Sequence, residues 1–196
     1  MTTANNKQQL RRDLRQRRQS LSAQVQEQAR YAVVEQLLNN ALFPLPAKVA
    51  VYIAQDGELD LCAFVALCWE RGIEVYLPVL HADKPEMWFA GYQPDSALTP
   101  NRFGIPEPTS ESVIAPTELD WVLMPLVGFD EQGGRLGMGG GFYDRTFEHA
   151  QTWPKPPTLI GVAHESQKTQ IIPRESWDIS LHAIVTPQRW YIANHD

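Results

Sequence analysis

Short apolar runs recur along the chain, separated by polar or amphipathic stretches. The first, residues 48–54, is nearly continuous, which is typical of a strand covered on both faces of a sheet. The other strand candidates are residues 73–77, 119–125, 158–163 and 183–186. Residues 61–71 predict a helix that ends at Gly72, and Pro78 should end the strand that follows. A strand, a helix and a strand at this spacing predict a parallel βαβ unit, and the whole pattern predicts an α/β sandwich with a mainly parallel sheet.

The first forty residues have a helical pattern. Residues 7–19 contain no helix breaker, and Leu10, Leu14 and Leu21 follow an approximate helical stripe with cations on the other faces. Ser22 is a candidate N-cap for a second helix over residues 23–39. We expect the first helix to pack on the α/β body and the 196 residues to form a single domain.

The segment 94–118 contains five prolines and few apolar runs. We expect it to form a long excursion ordered by packing over the functional site. In an α/β fold that site should lie at the carboxyl ends of the parallel strands.

The charge is unevenly distributed along the chain. Residues 1–30 carry seven basic residues against two acidic ones, while the net charge of the whole chain is −6, so the remainder carries −11. A compact basic segment on an acidic body favours a locally held anionic ligand over a broad nucleic-acid surface. The two cysteines lie in an apolar run and look like core residues, and no apolar stretch could span a bilayer. We therefore expect a cytoplasmic monomer with no membrane or nucleic-acid partner.

The most informative segment is the glycine-rich stretch 135–145, Arg-Leu-Gly-Met-Gly-Gly-Gly-Phe-Tyr-Asp-Arg. Glycine permits positive φ and lets backbone N–H groups approach an anion closely. Arg135 can clamp a phosphate with its planar fork, and Asp144 can hold the Mg²⁺ that accompanies nucleotide phosphates. The alternative is a surface loop that ends in a helix cap. The segment is not a P-loop, because Gly-Lys-Ser/Thr is absent, and it lies too far past its strand for a dinucleotide fingerprint.

Three further features have both a functional and a structural interpretation. Lys7, Arg11, Arg15 and Arg18 share one helical face, which could grip phosphates or could simply be solvated. Glu58 could accept hydrogen bonds from a ligand, beside Tyr52 at the end of its strand, although neighbouring aspartates have similar access. Trp88, in a Met-Trp-Phe cluster, could be a ligand wall or part of an edge strand.

These residues occur in an order that resembles the 5-formyltetrahydrofolate cyclo-ligase family almost from end to end. The glycine block is highly specific to that family, and the other motifs are individually weak. They are Lys7-x-x-Leu-Arg11 with Arg18 and Leu21-Ser22; Val49-Ala-Val-Tyr52; Glu58-Leu-Asp60; Val75-x-Leu-Pro78; Met87-x-Phe89; Pro125-Leu-Val-Gly-Phe129-Asp130; Ile172-Pro173; Trp177-Asp178; and Ile184-Val-Thr186.

The resemblance implies an enzyme that uses ATP and Mg²⁺ to close 5-formyltetrahydrofolate, a reduced folate, to 5,10-methenyltetrahydrofolate, with release of ADP and phosphate. It also implies a three-layer α/β/α fold like that of certain sugar-phosphate isomerases and CoA transferases. By position, the nucleotide would be bound by Lys7, Arg11, Arg135, Gly137, Met138, Gly139, Gly140, Gly141, Phe142 and Tyr143. The folate would be bound by Tyr52, Glu58, Trp88, Gly139, Gly140 and Tyr143. Arg135, Glu58 and Tyr143 are the implied catalytic residues, and Asp144 is the implied metal ligand.

Two positions depart from the family pattern. Some members have lysine where Gly140 stands, and the family often has a metal-serving aspartate at the position of His182, where Asp178 is the only acid nearby. This departure favours one alternative, a nucleotide- or folate-binding regulator without turnover, although Arg135, Glu58 and Asp144 are all present. A second alternative is an RNA-associated module built on the basic helix, which the acidic body disfavours.

Overall fold

The computed structural model describes residues 3–81, 83–110 and 112–193. Its α-helices are α1 (Thr3–Gln19), α2 (Ala23–Leu38), α3 (Cys62–Glu70) and α4 (Phe142–Phe147). Its strands are β1 (Lys48–Ala50), β2 (Glu74–Leu80), β3 (Met87–Gly91), β4 (Leu98–Pro100), β5 (Pro106–Pro108), β6 (Val113–Ile114), β7 (Trp121–Pro125), β8 (Gly128–Phe129), β9 (Arg135–Leu136), β10 (Thr158–Val162), β11 (Ala183–Val185) and β12 (Trp190–Ile192). Short 3₁₀ turns cover Pro116–Glu118, Ala150–Thr152 and Glu165–Gln167.

Eight strands form one sheet in the order β12-β11-β10-β7-β1-β2-β3-β6. The five strands from β11 to β2 are mutually parallel, and antiparallel strands are added at both edges. This confirms the predicted α/β fold with a mainly parallel sheet. Because β1 lies between β7 and β2, the residues that follow these three strands meet at one edge of the sheet.

Helices cover both faces of the sheet. Val49 and Val51 point to the face that packs against α2 and α3, while Ala50 between them belongs to the cluster on the other face, with Phe147 of α4. All four residues are at most 2% exposed. The alternation follows from the two-residue period of a strand, and it gives the three layers that the resemblance implied.

The N-terminal helix packs near the carboxyl edge of the sheet. Leu14 is fully buried against Val127, Leu136 and Ile172, in a small cluster that Leu10 also contacts. A turn then leads into α2, where the hydroxyl of Ser22 accepts a hydrogen bond from the backbone N–H of Val25 at 3.3 Å, as its N-cap role predicts.

The expectation that Pro78 ends its strand is wrong. Strand β2 continues to Leu80, with Pro78 opposite Phe89 of β3. Its parallel pairing with β1 ends at Tyr76, so Pro78 lies where that neighbour has already left the sheet. Proline is tolerated at such edge positions because no ladder hydrogen bond to that side is lost.

Two hairpins stand beside the main sheet. Strands β4 and β5 pair within the proline-rich excursion, and β8 and β9 pair between β7 and the glycine block. The second hairpin explains why the glycines lie so far along the chain from β7. It returns the chain to the sheet edge before α4 begins.

Candidate active site

A cavity of about 920 Å³ opens at the carboxyl ends of β1, β2 and β7. Its floor is formed by residues at or just beyond these strand ends, including Tyr52, Pro78 and Leu126. The tip of the β4–β5 hairpin, residues 103–106, also lines it, and the Phe103 ring meets the Phe142 ring edge-on at 5.7 Å between centroids. The excursion therefore lies over the site, as predicted.

The glycine block forms one wall of the cavity. Gly139 has φ +96° and Gly141 has φ +65°, conformations that side chains other than glycine rarely adopt. The Arg11 Nε–H donates to the carbonyl oxygen of Gly137 at 2.8 Å, and the Arg145 guanidinium donates to the carbonyl oxygen of Gly140 at 2.7 Å. Carbonyl groups of the loop are thus held by arginines.

Two cation–carboxylate pairs lie at this wall. The Arg135 guanidinium pairs with Asp144, and the Lys7 ammonium pairs with Asp178 at 2.6 Å. The pairs are neighbours, because the backbone N–H of Ile179, next to Asp178, donates to Asp144 at 3.2 Å. The Arg135 side chain is 6% exposed, and its Nε–H has no hydrogen-bond partner among the residues that the structure describes. A buried donor without an acceptor is costly, so an anion in the cavity would fit this position.

The opposite part of the cavity is built around Glu58, whose side chain is 13% exposed. One carboxylate oxygen accepts from the backbone N–H of Gln55 at 3.0 Å, and the other lies 3.6 Å from the Arg18 guanidinium. Burial raises the pKa of Glu58, while the Gln55 hydrogen bond and the Arg18 charge oppose that rise. The result is a carboxylate with acceptor capacity facing the cavity.

Two tyrosines flank Glu58. Burial, followed by the nearby charge of Glu58, raises the pKa of both Tyr52 and Tyr143 far above the ordinary value. Both hydroxyls therefore stay protonated at neutral pH. The Tyr52 hydroxyl donates to the carbonyl oxygen of Leu59 at 2.6 Å. The Tyr143 ring stacks on the Phe147 ring, with 6.5 Å between the two ring centroids.

The cavity brings together most of the residues singled out in the sequence. Those that line it are Lys7, Arg11, Tyr52, Glu58, Arg135, Gly137, Met138, Gly139, Gly140, Gly141, Phe142, Tyr143 and Asp144. Trp88 does not line it: this residue lies in β3 opposite Val79, half-buried in the sheet.

His182 also lies outside the cavity lining, where its ring Nδ1 accepts from the backbone N–H of Leu159 at 2.9 Å. The acid that the structure brings to the glycine wall is Asp178 instead. The sequence indicated Asp178 as the acid near that position, but its proximity to Asp144 is a property of the folded chain.

Sequence reasoning also missed the partners of Arg15 and Arg18. Both guanidiniums bind the carboxylate of Asp56, so these two members of the basic helical face are committed to a protein group. Of the four cations on that face, Lys7 and Arg11 lie at the glycine wall. The helix spacing predicted a shared face, but it could not reveal what each cation meets.

The residues that could hold a metal are Asp144 and Asp178. Within the described residues no group of three or more His, Cys, Asp or Glu side chains is arranged to bind a metal ion. Mg²⁺ in nucleotide sites commonly uses only one or two carboxylates, with phosphate oxygens and water completing its shell. Two neighbouring carboxylates fit that pattern, provided that a phosphate supplies further ligands.

Fold and cavity together define an α/β protein with a cavity, lined by both cations and carboxylates, at the carboxyl ends of its parallel strands. No helix of the described chain is long and apolar enough to cross a membrane. The chain belongs to the 5-formyltetrahydrofolate cyclo-ligase family, whose model matches residues 3–187. It is therefore an enzyme, a ligase of folate one-carbon metabolism, as the resemblance implied.

Individual relatives agree with this assignment. The 5-formyltetrahydrofolate cyclo-ligase of Escherichia coli K12 is 40% identical over 90% of this chain and 97% of its own length. That of Haemophilus influenzae is 39% identical over 91% and 96%. The NMR structure of Aquifex aeolicus 5,10-methenyltetrahydrofolate synthetase matches with a TM-score of 0.81 at 29% identity, covering 97% of this chain and 94% of that one.

Proposed function

We propose that the enzyme converts 5-formyltetrahydrofolate to 5,10-methenyltetrahydrofolate at the expense of ATP, with Mg²⁺, in this cavity. The observation that supports the proposal is the cavity's division into two ends. The end at the glycine wall offers cations, glycine backbone at positive φ and a buried Arg135 donor without a partner among the described residues, while the other offers the Glu58 carboxylate between tyrosines. A phosphate chain and a folate ring require these opposite chemistries.

The reaction needs activation because a formamide carbon is a poor electrophile and its oxygen is a poor leaving group. ATP supplies a phosphoryl group to the formyl oxygen when bound. Attack of N10 on the activated carbon forms the new C–N bond, N10 gives up its proton to water, and the C–O bond breaks as phosphate carries that oxygen away. Positioning and charge neutralisation should dominate such a step, which agrees with the presence of Lys7, Arg11 and Arg135 at the glycine wall.

At the glycine wall, the proposed phosphate contacts are made by Lys7, Arg11 and Arg135. The Arg135 Nε–H, which has no partner among the described residues, would donate to a phosphate oxygen. The ion pair between Arg135 and Asp144 would be retained. The turns at Gly139 and Gly141 leave no Cβ between the backbone and the ligand. Asp144 and Asp178 would hold Mg²⁺.

At the other end, Glu58 would accept hydrogen bonds from N–H groups of the pterin ring. Tyr52 and Tyr143 would form walls of that end, with Tyr143 near the reacting formyl group. In this arrangement the folate ring would lie against the strand ends and its formyl oxygen would point toward Arg135.

The experiment mixes purified protein, ATP, Mg²⁺ and 5-formyltetrahydrofolate and follows the absorbance of the methenyl product together with ADP. Equal amounts of both products, dependent on ATP, are expected. Folate that binds without forming product would instead favour the non-catalytic regulator. The RNA-associated alternative is disfavoured because Lys7, Arg11, Arg15 and Arg18 all turn toward protein groups.

A further inference from the structure

We propose that Arg18 is the positioning residue of Glu58, holding that carboxylate ionised and fixed at the folate end while its own helix carries Lys7 and Arg11 at the phosphate end. This inference rests on the proposed function, since it assigns Glu58 to the folate. Arg18 would act on the reaction through Glu58, without contacting the reacting atoms of the substrate.

Arg18 is a cation with no exposure to solvent. Its guanidinium lies 2.6 Å from a carboxylate oxygen of Asp56, and it donates to the carbonyl oxygens of Asp56 at 3.0 Å and Leu126 at 3.2 Å. The same Nη1 that serves Leu126 lies 3.6 Å from Glu58. A buried charge survives only where several acceptors surround it, so the guanidinium is fixed in position by its partners.

The loop that carries Glu58 is pinned to α1 through Asp56. Side chains of Arg15, Arg18 and Gln19 all donate to the Asp56 carboxylate. Asp56 also has φ +53°, a backbone conformation that is uncommon in residues other than glycine. Such a conformation persists where the surrounding contacts hold the backbone in place. The helix therefore determines where the residues leading to Glu58 can lie.

Arg18 also favours the ionised form of Glu58. The charged or titratable groups that interact with this carboxyl are Arg18 from α1, Asp56 from its own loop, Tyr52 after β1 and Tyr143 from α4. Among them only Arg18 is a cation. Burial and the Asp56 charge raise the pKa of Glu58, and the Gln55 hydrogen bond, followed by the Arg18 charge, opposes that rise. Loss of Arg18 should therefore let Glu58 take up a proton at higher pH.

The experiment measures the dissociation constant of 5-formyltetrahydrofolate by calorimetry between pH 5 and 8 for the wild type, Arg18→Met and Arg18→Lys. At pH 7, Arg18→Met should weaken folate binding about tenfold or more, the factor expected from losing a charge-assisted interaction. The pH below which binding fails should also move upward. Arg18→Lys retains the charge and should keep that pH near the wild-type value. Arg17→Met, which removes an exposed cation from the same helix, should change neither quantity.

A second comparison distinguishes positioning from a general structural effect. If Arg18 acts through Glu58, adding Arg18→Met to Glu58→Gln should weaken folate binding less than twofold further. An equal loss in both backgrounds, or an unshifted pH limit in Arg18→Met, would overturn the inference. Arg18→Lys and its pH limit provide the same test if Arg18→Met does not fold. Failure of the wild type to bind folate would instead refute the proposed function itself.

Discussion

Replacing Asp56 by asparagine should reveal how strongly α1 is fastened to the loop that carries Glu58. Asparagine keeps the size of the side chain and tolerates the positive φ of this position, so the substitution mainly removes the charge. Hydrogen bonds from Arg15, followed by those from Gln19 and Arg18, lower the pKa of Asp56 from 3.8 to about 2 against the opposing effect of burial. The native state therefore favours the ionised form.

The pKa shift sets the size of the effect. Each tenfold change in an ionisation constant is worth about 1.36 kcal/mol, so a fall from 3.8 to about 2 corresponds to at most about 2.4 kcal/mol. Because the side chain is 23% exposed, solvent screening reduces this to about 1–1.5 kcal/mol. A lowered folded-state pKa means that the stabilisation is complete well above pH 3.8 and is lost as the pH falls toward 2.

Urea unfolding of the wild type and Asp56→Asn at several pH values between 3 and 7 measures this contribution. The difference in unfolding free energy between the two proteins should be largest from pH 5.5 upward. At pH 3, the part of this difference that comes from the Asp56 charge should be roughly half as large. Asp13→Asn is a matched control on α1, since this exposed carboxylate accepts, within the described chain, only a 2.8 Å hydrogen bond from the Gln9 side chain. It should change stability by less than about 0.5 kcal/mol at each pH. A wild-type advantage over Asp56→Asn that stays constant from pH 7 to 3 would refute the electrostatic reasoning.

Other substitutions test the site and the packing of α1. Arg135→Met should lower kcat/KM about 10²–10³-fold in the steady-state assay, whereas Arg17→Met should change it less than twofold; equal losses would mean that the phosphate site is misplaced. Gly139→Ala forces a side chain into φ +96°, which costs about 1–2 kcal/mol and should weaken ATP binding about tenfold by calorimetry; unchanged affinity would exclude this turn from the site. Leu14→Ala should lower the unfolding free energy by about 2–5 kcal/mol in urea, because Leu14 is fully buried, and half-buried Leu10→Ala should cost less; the reverse order would contradict the packing of α1.

Local patterns were sufficient for much of the fold. Helix α2 begins after Ser22 as predicted because an N-cap acts on backbone groups only three residues away. The βαβ unit was predictable for the same reason, since its signals lie within about thirty residues. Pro78 was misjudged because its tolerance depends on where a neighbouring strand ends, and β1 is distant in sequence.

The candidate site also combines features that local sequence predicts with features that depend on residues distant in the chain. The glycine block could be identified because its residues are contiguous, and their combination is rare outside binding loops. The pairing of Lys7 with Asp178 joins residues 171 positions apart, and no pattern in either segment indicates it. The position of Trp88 outside the cavity lining could not be predicted, because the antiparallel register with β2, which sets its neighbours, is a property of the folded sheet.

The central claim is that one cavity has a phosphate end and a folate end with separate determinants. The most direct test measures the dissociation constants of ATP and 5-formyltetrahydrofolate for Arg11→Met and Glu58→Gln. Arg11→Met should weaken ATP binding about tenfold with folate affinity nearly unchanged, and Glu58→Gln should do the reverse. If both substitutions weaken the same ligand, or if neither discriminates between the two, the two-ended cavity is contradicted.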